Sequence, residues 1–391
     1  MNLIIYEDNC TKQLKPFSIN HASFEIRIGN FSLLERIIKS FEKKNKLDQI
    51  VLIVRKKIEL IIKEKFPEYE VNPDIIPSGK CINGSLFVND QTVNCIYENQ
   101  SMSNGKLISF YLESEISKNS FYEKVSSEEL VSTIVKIKSI NYLWDSIEMI
   151  EQIIFGDIHH IKKQNEFTMH TSCIVENIEN IYFGKQCIIK AGVILDASKG
   201  PIIISDKVTI GSGSIIEGPV YIGKYTEISI GAKIRGNVSI GVMCKVGGEV
   251  SNSIFQAFSN KAHEGFLGHS FIGEWVNIGA GTNNSNLKNN YNNISIDLGY
   301  EEIETNCQFL GTLIGDYSKL GISSIINTGS YIGLASNILG GKLISKHIPS
   351  FYWSDEDKVD LEKLFLSINK MKNRRNNKIT EIEKDFLKNI Y

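Results

Sequence analysis

The sequence predicts an α/β domain, then a parallel β-helix, then a short helical tail. Strand-like and helix-like segments alternate over residues 1–136, and aliphatic residues recur every six positions over residues 166–350. Residues 351–391 are amphipathic at helical spacing, and a connector at 137–165 is apolar at the same spacing. A chain of 391 residues is long enough for two or three domains.

The composition excludes several classes of function. The 43 basic and 45 acidic side chains give a net charge of −2, so we expect no nucleic-acid partner and no polybasic membrane surface. The seven cysteines are scattered without a CxxC pair, which predicts reduced thiols rather than disulfides or a zinc site. The opening MNLIIYEDNC is acidic and lacks a basic region, so we expect no signal peptide and a cytoplasmic protein.

The first domain is predicted from its alternating segments. An opening strand, LIIY, is followed by a helical pattern over Ser32 to Lys44, a strand at 49–54 and a helix at 56–65. Alternation of this kind is typical of a mostly parallel sheet with helices packed on it.

The second domain is predicted from an unbroken repeat. Eight aliphatic residues follow one another at steps of six: Ile204, Ile210, Ile216, Ile222, Ile228, Ile234, Ile240 and Val246. A period of six fits neither an amphipathic helix nor an alternating strand, but it fits three short faces per turn of a parallel β-helix. The alternative, a sandwich of irregular short strands, does not explain eight consecutive aliphatic positions. Beyond Val246 we expect inward residues at Ile254, Phe266, Ile272 and Ile278, with one failure at Asn260.

Three insertions interrupt the repeat. Lys199 to Pro201 form a small loop, two extra residues separate Val246 from Ile254, and residues 283–307 form a long polar loop. We expect this long loop to be too polar to pack on its own coil and to reach towards a neighbouring subunit, carrying functional residues.

The tail is predicted as two amphipathic helices separated by a basic turn, Lys372 to Lys378. We interpret this turn as a solvated face, with a polyphosphate or partner role as the alternative.

Residues 259–286, SNKAHEGFLGHSFIGEWVNIGAGTNNSN, resemble the active-site coil of a known family. Its members acetylate glucosamine 1-phosphate and then transfer uridylyl to the product. The whole chain is still more similar to a divergent branch of sugar nucleotidyltransferases, which ends in an Ile-Pro-Ser-Phe segment, here Ile348 to Phe351. The resemblance implies a nucleotidyltransferase-like, Rossmann-like first domain and a left-handed β-helix of the hexapeptide acyltransferase type.

The resemblance also implies roles for individual residues. His263 falls on the catalytic base, and an imidazole suits proton removal from an amine near neutral pH. Asn286 falls on the residue that orients this histidine, while Thr312 falls on a contact to acyl-CoA. The phosphate-binding positions fall on Arg235 and Lys261, and the further substrate contacts on Asn277 and Lys288.

Alternatives remain for several of these positions. His269, six residues after His263, competes with it as the base. Arg235 and Lys261 would otherwise be solvated edge residues, and Asn277 would otherwise be structural. Three departures put the usual acceptor in doubt, because Ser251, Phe266 and Leu287 stand where the family has Lys, Tyr and Tyr.

The first domain departs further from the family. Nucleotidyltransferases open with a Gly-rich loop that binds phosphates, whereas here IIYEDNCTKQLKPFS contains no glycine. Lys15 and Arg27 are the candidate nucleotide-binding residues, and Asp90 in LFVND is the candidate ligand for Mg²⁺, which an active domain would require.

Three functions follow from these features. The first is acyl transfer from acetyl-CoA to an amino-sugar phosphate or nucleotide sugar, by a homotrimer whose first domain forms or binds the nucleotide sugar. The second is sugar-1-phosphate nucleotidyl transfer, with the β-helix as a trimerisation module. The third is a non-catalytic scaffold that binds sugar nucleotides.

Overall fold

A computed structural model describes residues 1–96, 101–103, 106–126, 133–134, 137–164, 166–354 and 357–391. The α/β domain lies against one face of a parallel β-helix, and two C-terminal helices pack against both. In this described part of the chain no helix has both the length and the apolar character needed to cross a bilayer. The seven cysteines are free thiols.

The N-terminal domain contains a seven-stranded mixed sheet and two small two-stranded sheets. Its strands are β1 Asn2–Tyr6, β2 Arg27–Ile28, β3 Phe31–Ser32, β4 Gln49–Ile53, β5 Glu70–Val71, β6 Ile75–Ile76, β7 Gly79–Asn83, β8 Ser101–Ser103, β9 Lys106–Leu112, β10 Ile116–Ser117 and β11 Thr133–Ile134. The large sheet has the order β11-β8-β9-β7-β1-β4-β5. The interior strand β1 pairs in parallel with β4 and β7 and is buried on both faces, as its aliphatic run predicts.

Eight α-helices accompany the strands in the described residues. They are α1 Leu33–Glu42, α2 Glu59–Lys65, α3 Asp90–Ile96, α4 Lys118–Ser126, α5 Leu143–Glu148, α6 Ile150–Asp157, α7 Leu361–Asn373 and α8 Glu381–Ile390. The first begins where the sequence predicts, because the Ser32 hydroxyl accepts from the Glu35 N–H and the Glu35 carboxylate caps the Ser32 N–H. The connector forms α5 and α6.

The second domain is the predicted parallel β-helix. Its strands and their attached hairpins are β12 Phe167–Met169, β13 Ile174–Glu176, β14 Ile181–Phe183, β15 Cys187–Ile189, β16 Ile194–Asp196, β17 Ile202–Ile204, β18 Thr209–Ile210, β19 Ile215–Glu217, β20 Val220–Ile222, β21 Glu227–Ile228, β22 Lys233–Val242, β23 Lys245–Val246, β24 Glu249–Ala257, β25 Asn260–Lys261, β26 Phe266–Gly268, β27 Phe271–Ile272, β28 Asn277–Ile278, β29 Asn283–Asn284, β30 Ser295–Asp297, β31 Glu302–Glu304, β32 Thr312–Ile314, β33 Lys319–Leu320, β34 Ile325–Ile326, β35 Ser330–Ile332, β36 Asn337–Ile338, β37 His347–Ile348, β38 Tyr352–Trp353 and β39 Asp357–Lys358. Strands one coil apart pair in parallel, and all eight residues of the unbroken repeat are buried on the axis.

The register beyond Val246 differs from the prediction. A bulge between β22 and β24 shortens one coil, so Phe255 rather than Ile254 stacks beside Ile240 on the axis. Leu267 likewise replaces Phe266 as the inward residue. Ile254 instead faces the N-terminal domain. A six-residue count cannot detect this shift, because neighbouring aliphatic residues satisfy it equally well.

The long loop does not behave as predicted. Its strands β30 and β31 form an antiparallel hairpin that packs on its own chain. Ile294, Ile296 and Leu298 are fully buried in the cluster that joins the β-helix to the N-terminal domain. These three apolar residues alternate within a polar segment, and their burial holds the loop in place.

The C-terminal helices form part of the common core. Lys372, predicted to be solvated, is buried, and its ammonium pairs with Glu383 and lies over the rings of Trp275 and Tyr317. An ion pair between the last turn of α7 and the first turn of α8 therefore holds both helices on the β-helix. The Thr380 hydroxyl, at the start of α8, donates to Glu64 of α2.

Candidate functional site

His263 lies on a corner of the β-helix. The corner between β25 and β26 spans four residues, 262–265, as do the equivalent corners at 229–232 and 279–282. The His263 side chain is exposed there. Gly265 suits this turn, because its φ is +129° and a Cβ at this position would lie 2.1 Å from the Thr282 carbonyl oxygen.

Apolar side chains flank this corner. Ile230 and Ile322 occupy the same corner in nearby coils and are 74% and 69% exposed. Isolated exposed aliphatic residues are common, but two on one edge, on either side of an exposed histidine, form an apolar border to it.

Arg235 lies on the face that follows this corner. Its guanidinium donates to Glu249 at 2.8 Å and is otherwise largely exposed, and Glu249 is in register with Phe266 on the next strand. Arg235 can therefore still donate to an anion beside the strand that follows His263.

Asn277 lies on the face on the other side of the corner. It is exposed on β28, in register with Asn260, and its strand leads into the corner next to that of His263. The Lys288 ammonium is exposed as well, but it donates to the Asn293 carbonyl within its own loop.

Lys261 does not occupy a phosphate-binding position. It replaces an aliphatic residue on the axis, in register with Val246, and is only 1% exposed. Its ammonium donates to the carbonyls of Gly247 and His263, both at 3.0 Å. Burial lowers the pKa of Lys261 to about 8. Lys261 is therefore a structural residue that holds the two corners next to it.

Asn286 contacts the other histidine. Strand β29 crosses the face away from the His263 corner, so Asn286 arrives at the opposite corner, where its amide nitrogen lies 2.8 Å from His269 Nδ1. His269 also stacks on Phe309. The structure thus pairs Asn286 with His269 rather than with His263. The sequence contains one signal of this arrangement, the six-residue spacing between the two histidines.

Thr312 does not present its hydroxyl to a ligand. The side chain is completely buried, and the hydroxyl donates to the Ser330 carbonyl at 3.1 Å. Its predicted contact with acyl-CoA is not supported by this position, because the inward direction is fixed by the alternation along β32.

The first turn of the N-terminal domain carries acceptors where a phosphate loop requires donors. After β1, Glu7 is buried and accepts from the Ser23 N–H and from Arg55. Asp8 then caps a 3₁₀ turn and accepts from Asn83. Phosphate oxygens need N–H groups and positive charge, so this arrangement does not fit a nucleotide phosphate.

The candidate nucleotide ligands are not brought together. Arg27 donates to Glu35 and to the Asn30 carbonyl, while its backbone binds Gln256 of the β-helix, so it joins the domains. The Lys15 ammonium instead lies over the Tyr300 ring of the long loop. Because their partners differ, Arg27 and Lys15 do not face a common phosphate site.

Asp90 does not fit a magnesium site. Both of its carboxylate oxygens accept from Lys43, and the side chain is exposed at the start of α3. A lone carboxylate beside an ammonium group lacks the several oxygen ligands that Mg²⁺ prefers.

A buried charged cluster lies between the two domains, and no motif in the sequence indicates it. His21 Nε2 lies 2.7 Å from Asp316 of the β-helix, and its other nitrogen lies 3.3 Å from Glu25, which also pairs with Lys65. Burial by itself favours the neutral imidazole, but the carboxylates of Asp316 and Glu25 together outweigh it and raise the pKa of His21 to about 10. Among the described residues, His21, Glu274 and Asp316 are the one trio close enough to share a metal ion. The protonated His21 ring and the Lys65 ammonium already balance the charges of the Asp316 and Glu25 carboxylates.

Comparisons with known proteins agree with this architecture. A family model described as sugar nucleotidyl transferase matches residues 3–166. The chain is 34% identical over 152 residues to the bifunctional sugar-1-phosphate nucleotidylyltransferase/acetyltransferase of Sulfurisphaera tokodaii, covering 38% of each chain. It is 33% identical over 113 residues to the bifunctional protein GlmU of Synechococcus elongatus, covering 28% of this chain and 21% of that one.

A third relative is matched over most of its own length. The chain is 34% identical over 164 residues to the uncharacterized acetyltransferase YaiX of Escherichia coli O6:K15:H31, covering 41% of this chain and 71% of that one. The chain thus matches less than two fifths of the length of the first two relatives. The chain therefore belongs to the same family as the uncharacterized acetyltransferase YaiX, and its N-terminal part, residues 3–166, matches the sugar nucleotidyl transferase model.

Proposed function

We propose that the protein transfers an acyl group, most simply acetyl from acetyl-CoA, to the amine of an amino-sugar phosphate or nucleotide sugar. The observation that carries this proposal is the exposed His263 on a corner of the β-helix, with Arg235 on one adjoining face and Asn277 on the other. The similarity to relatives named as acetyltransferases supports the same reaction. The free thiols and balanced charge support a cytoplasmic location.

In this reaction His263 acts as the general base. The amine nitrogen bonds to the thioester carbonyl carbon, the carbon–sulfur bond breaks, and the amine proton passes to the imidazole. Coenzyme A leaves as a thiolate and takes up that proton. Arg235, which keeps exposed N–H groups beside its bond to Glu249, holds the phosphate of the acceptor.

The acyl donor requires a second wall at this corner. We propose a homotrimer in which the apolar border formed by Ile230 and Ile322 contacts a neighbouring copy and encloses acyl-CoA between the two. The long loop takes no part in this contact, since its hairpin packs on its own chain.

Under this proposal the N-terminal domain does not catalyse nucleotidyl transfer. Glu7 and Asp8 occupy the place of the phosphate loop, and Asp90 is paired with Lys43. Acyl transfer should therefore proceed without nucleotidyl transfer.

One assay separates the three functions. The full-length protein is incubated with acetyl-CoA, amino-sugar 1-phosphates, each nucleoside triphosphate and Mg²⁺, and free coenzyme A and pyrophosphate are measured separately. We expect coenzyme A alone. Pyrophosphate release would show that the acidic turn after β1 is compatible with nucleotidyl transfer, and release of neither product would favour a binding scaffold.

The role of His263 is tested by substitution. His263→Ala should lower coenzyme A release about a hundredfold or more, which is the usual contribution of a positioned general base. His170→Ala, which removes another exposed histidine from the first coil, is the matched control and should leave the rate unchanged. A near-normal rate in His263→Ala with a large loss in His269→Ala would transfer the role to His269.

A further inference from the structure

A second concave site lies at the corner opposite His263. It is a cavity of about 300 Å³ between the connector helix α5 and the β-helix. That volume is at the lower end of the range for small-molecule sites and fits a single ring. Its lining includes Trp144, Glu148, Asn237, His269, Phe309 and Leu310.

The cavity contains an unsatisfied acceptor. Asn237 donates its amide N–H to Asn252 at 3.1 Å, but Asn237 Oδ1 is buried without a hydrogen-bond partner among the described residues. A buried polar atom without a partner is costly, so such atoms in folded proteins usually have a ligand or water to satisfy them. This oxygen can accept from a hydroxyl group.

A fixed donor lies beside it. The Asn286 amide donates to His269 Nδ1, so the imidazole proton is on Nε2. Burial lowers the pKa of His269 to about 4, which keeps the ring neutral. His269 thus combines a neutral N–H donor with a ring that is stacked on Phe309.

The remaining walls select against phosphate. No lysine or arginine occurs in this lining as the structure describes it, whereas Glu148 and Glu151 lie at its exposed rim. Phe309 presents a half-exposed ring face, and Trp144 and Leu310 form an apolar floor. Apolar ring faces together with amide groups suit the two sides of a sugar ring, and the carboxylates suit an amine.

We propose that this cavity binds an unphosphorylated amino-sugar ring, with hydroxyls on Asn237 and His269, the amine near Glu148 and the ring face on Phe309. This site is separate from the proposed acyl-transfer corner, because His263 and His269 lie beyond opposite ends of strand β26. The inference does not depend on the acyl-transfer activity. It gives the β-helix a recognition site for a sugar that carries no phosphate.

The test titrates the full-length protein with glucosamine, glucose and glucosamine 1-phosphate, monitoring the ring ¹H–¹⁵N signals of His269. Glucosamine should shift these signals, glucose should bind several-fold more weakly, and glucosamine 1-phosphate should leave them unmoved because of the two carboxylates. Phe309→Leu should weaken glucosamine binding about tenfold through the loss of the ring contact. Tyr291→Leu, which removes an exposed aromatic residue of the same loop, should not change it.

Two further variants separate this cavity from the acyl-transfer corner and identify the group that binds the amine. Arg235→Ala, which disables the proposed phosphate contact at the other corner, should leave the His269 response to glucosamine unchanged. Glu148→Gln should weaken glucosamine binding without weakening glucose binding. The proposal is overturned if glucosamine does not shift the His269 signals, if the phosphorylated sugar shifts them equally, or if Phe309→Leu binds normally while its melting temperature is unchanged.

Discussion

At the scale of single residues, the environment of a side chain decides between roles that its chemical type leaves open. Lys261 and Arg235 were both candidates for phosphate binding, and only Arg235 keeps exposed N–H groups. Lys261 lies on the axis of the β-helix because its position in the repeat points inward, and its ammonium is satisfied by two backbone carbonyls. A basic side chain thus serves the fold at one position and a surface role at another.

The burial of Lys261 predicts that its substitution changes the stability of the fold rather than the binding of a ligand. Lys261→Ala removes a buried stem and leaves two carbonyls unpaired, so it should lower the free energy of unfolding by about 2–5 kcal/mol. Lys245→Ala, on an exposed face and paired with Glu227, is the control and should change it by less than about 0.5 kcal/mol. Urea unfolding of both variants measures the difference. A large rise in KM for the acceptor with unchanged stability would instead restore a phosphate role for Lys261.

At the scale of elements, the hairpin of β30 and β31 shows how few residues fix a long loop. Ile294, Ile296 and Leu298 alternate along one strand, so all three point to the same side and pack against the coil below. The intervening polar residues face solvent, which explains why the segment as a whole resembles a loop that extends from the fold.

The hairpin should therefore contribute to the stability of its own chain. Ile296→Ala should lower the free energy of unfolding by about 2–5 kcal/mol, because the side chain is completely buried. Asn290→Ala, at an exposed position of the same loop, should have little effect. Sedimentation of both variants should give the same assembly. An Ile296→Ala protein that unfolds normally but dissociates would indicate that the loop reaches a neighbouring chain after all.

At the scale of the whole molecule, the two domains are joined by buried polar groups as well as by apolar packing. The His21 ring pairs with Asp316 across the boundary, and the Arg36 guanidinium holds Asp157 of the connector on the same side. Breaking a buried ion pair by removing one partner typically costs about 3–5 kcal/mol, so these contacts favour a single relative position of the domains.

The stability of this boundary should depend on pH in a stated direction. The pKa of His21 is raised from 6.5 to about 10, so its contribution is complete below about pH 6.5 and is lost as the pH rises towards 10. For Glu25, burial opposes ionisation but Lys65 and His21 prevail, so its pKa falls to about 2 and its contribution is lost only in strong acid. The melting temperature should fall as the pH is raised from 6 to 10. Asp316→Asn should make this fall smaller, whereas the exposed Asp385→Asn should leave it unchanged. Equal declines in both variants would contradict the assignment.

The proposed assembly is tested at the same scale. Ile230→Glu combined with Ile322→Glu should convert the trimer to monomers in sedimentation and abolish coenzyme A release, since the acyl donor then lacks its second wall. Leu366→Glu, at an equally exposed position on α7, should change neither property. A fully active monomer would refute the proposed homotrimer.

The six-residue repeat is sufficient to predict the β-helix and its inward residues from Ile204 to Val246, because the period acts without reference to any distant part of the chain. The sequence also predicts the strand and helix alternation of the first domain and the start of α1 at Ser32. These features are local, because periodicity and capping act within a few residues.

The partners of the functional residues depend on contacts between distant parts of the chain. Which histidine Asn286 contacts depends on the direction in which β29 crosses the coil, and the burial of Lys261 depends on a one-residue register shift in the pairing of β24, the strand before it, with β22. The pairing of His21 with Asp316 joins residues almost three hundred positions apart, so no local pattern could contain it. Contacts of this kind arise from packing between coils and domains, which a linear pattern does not encode.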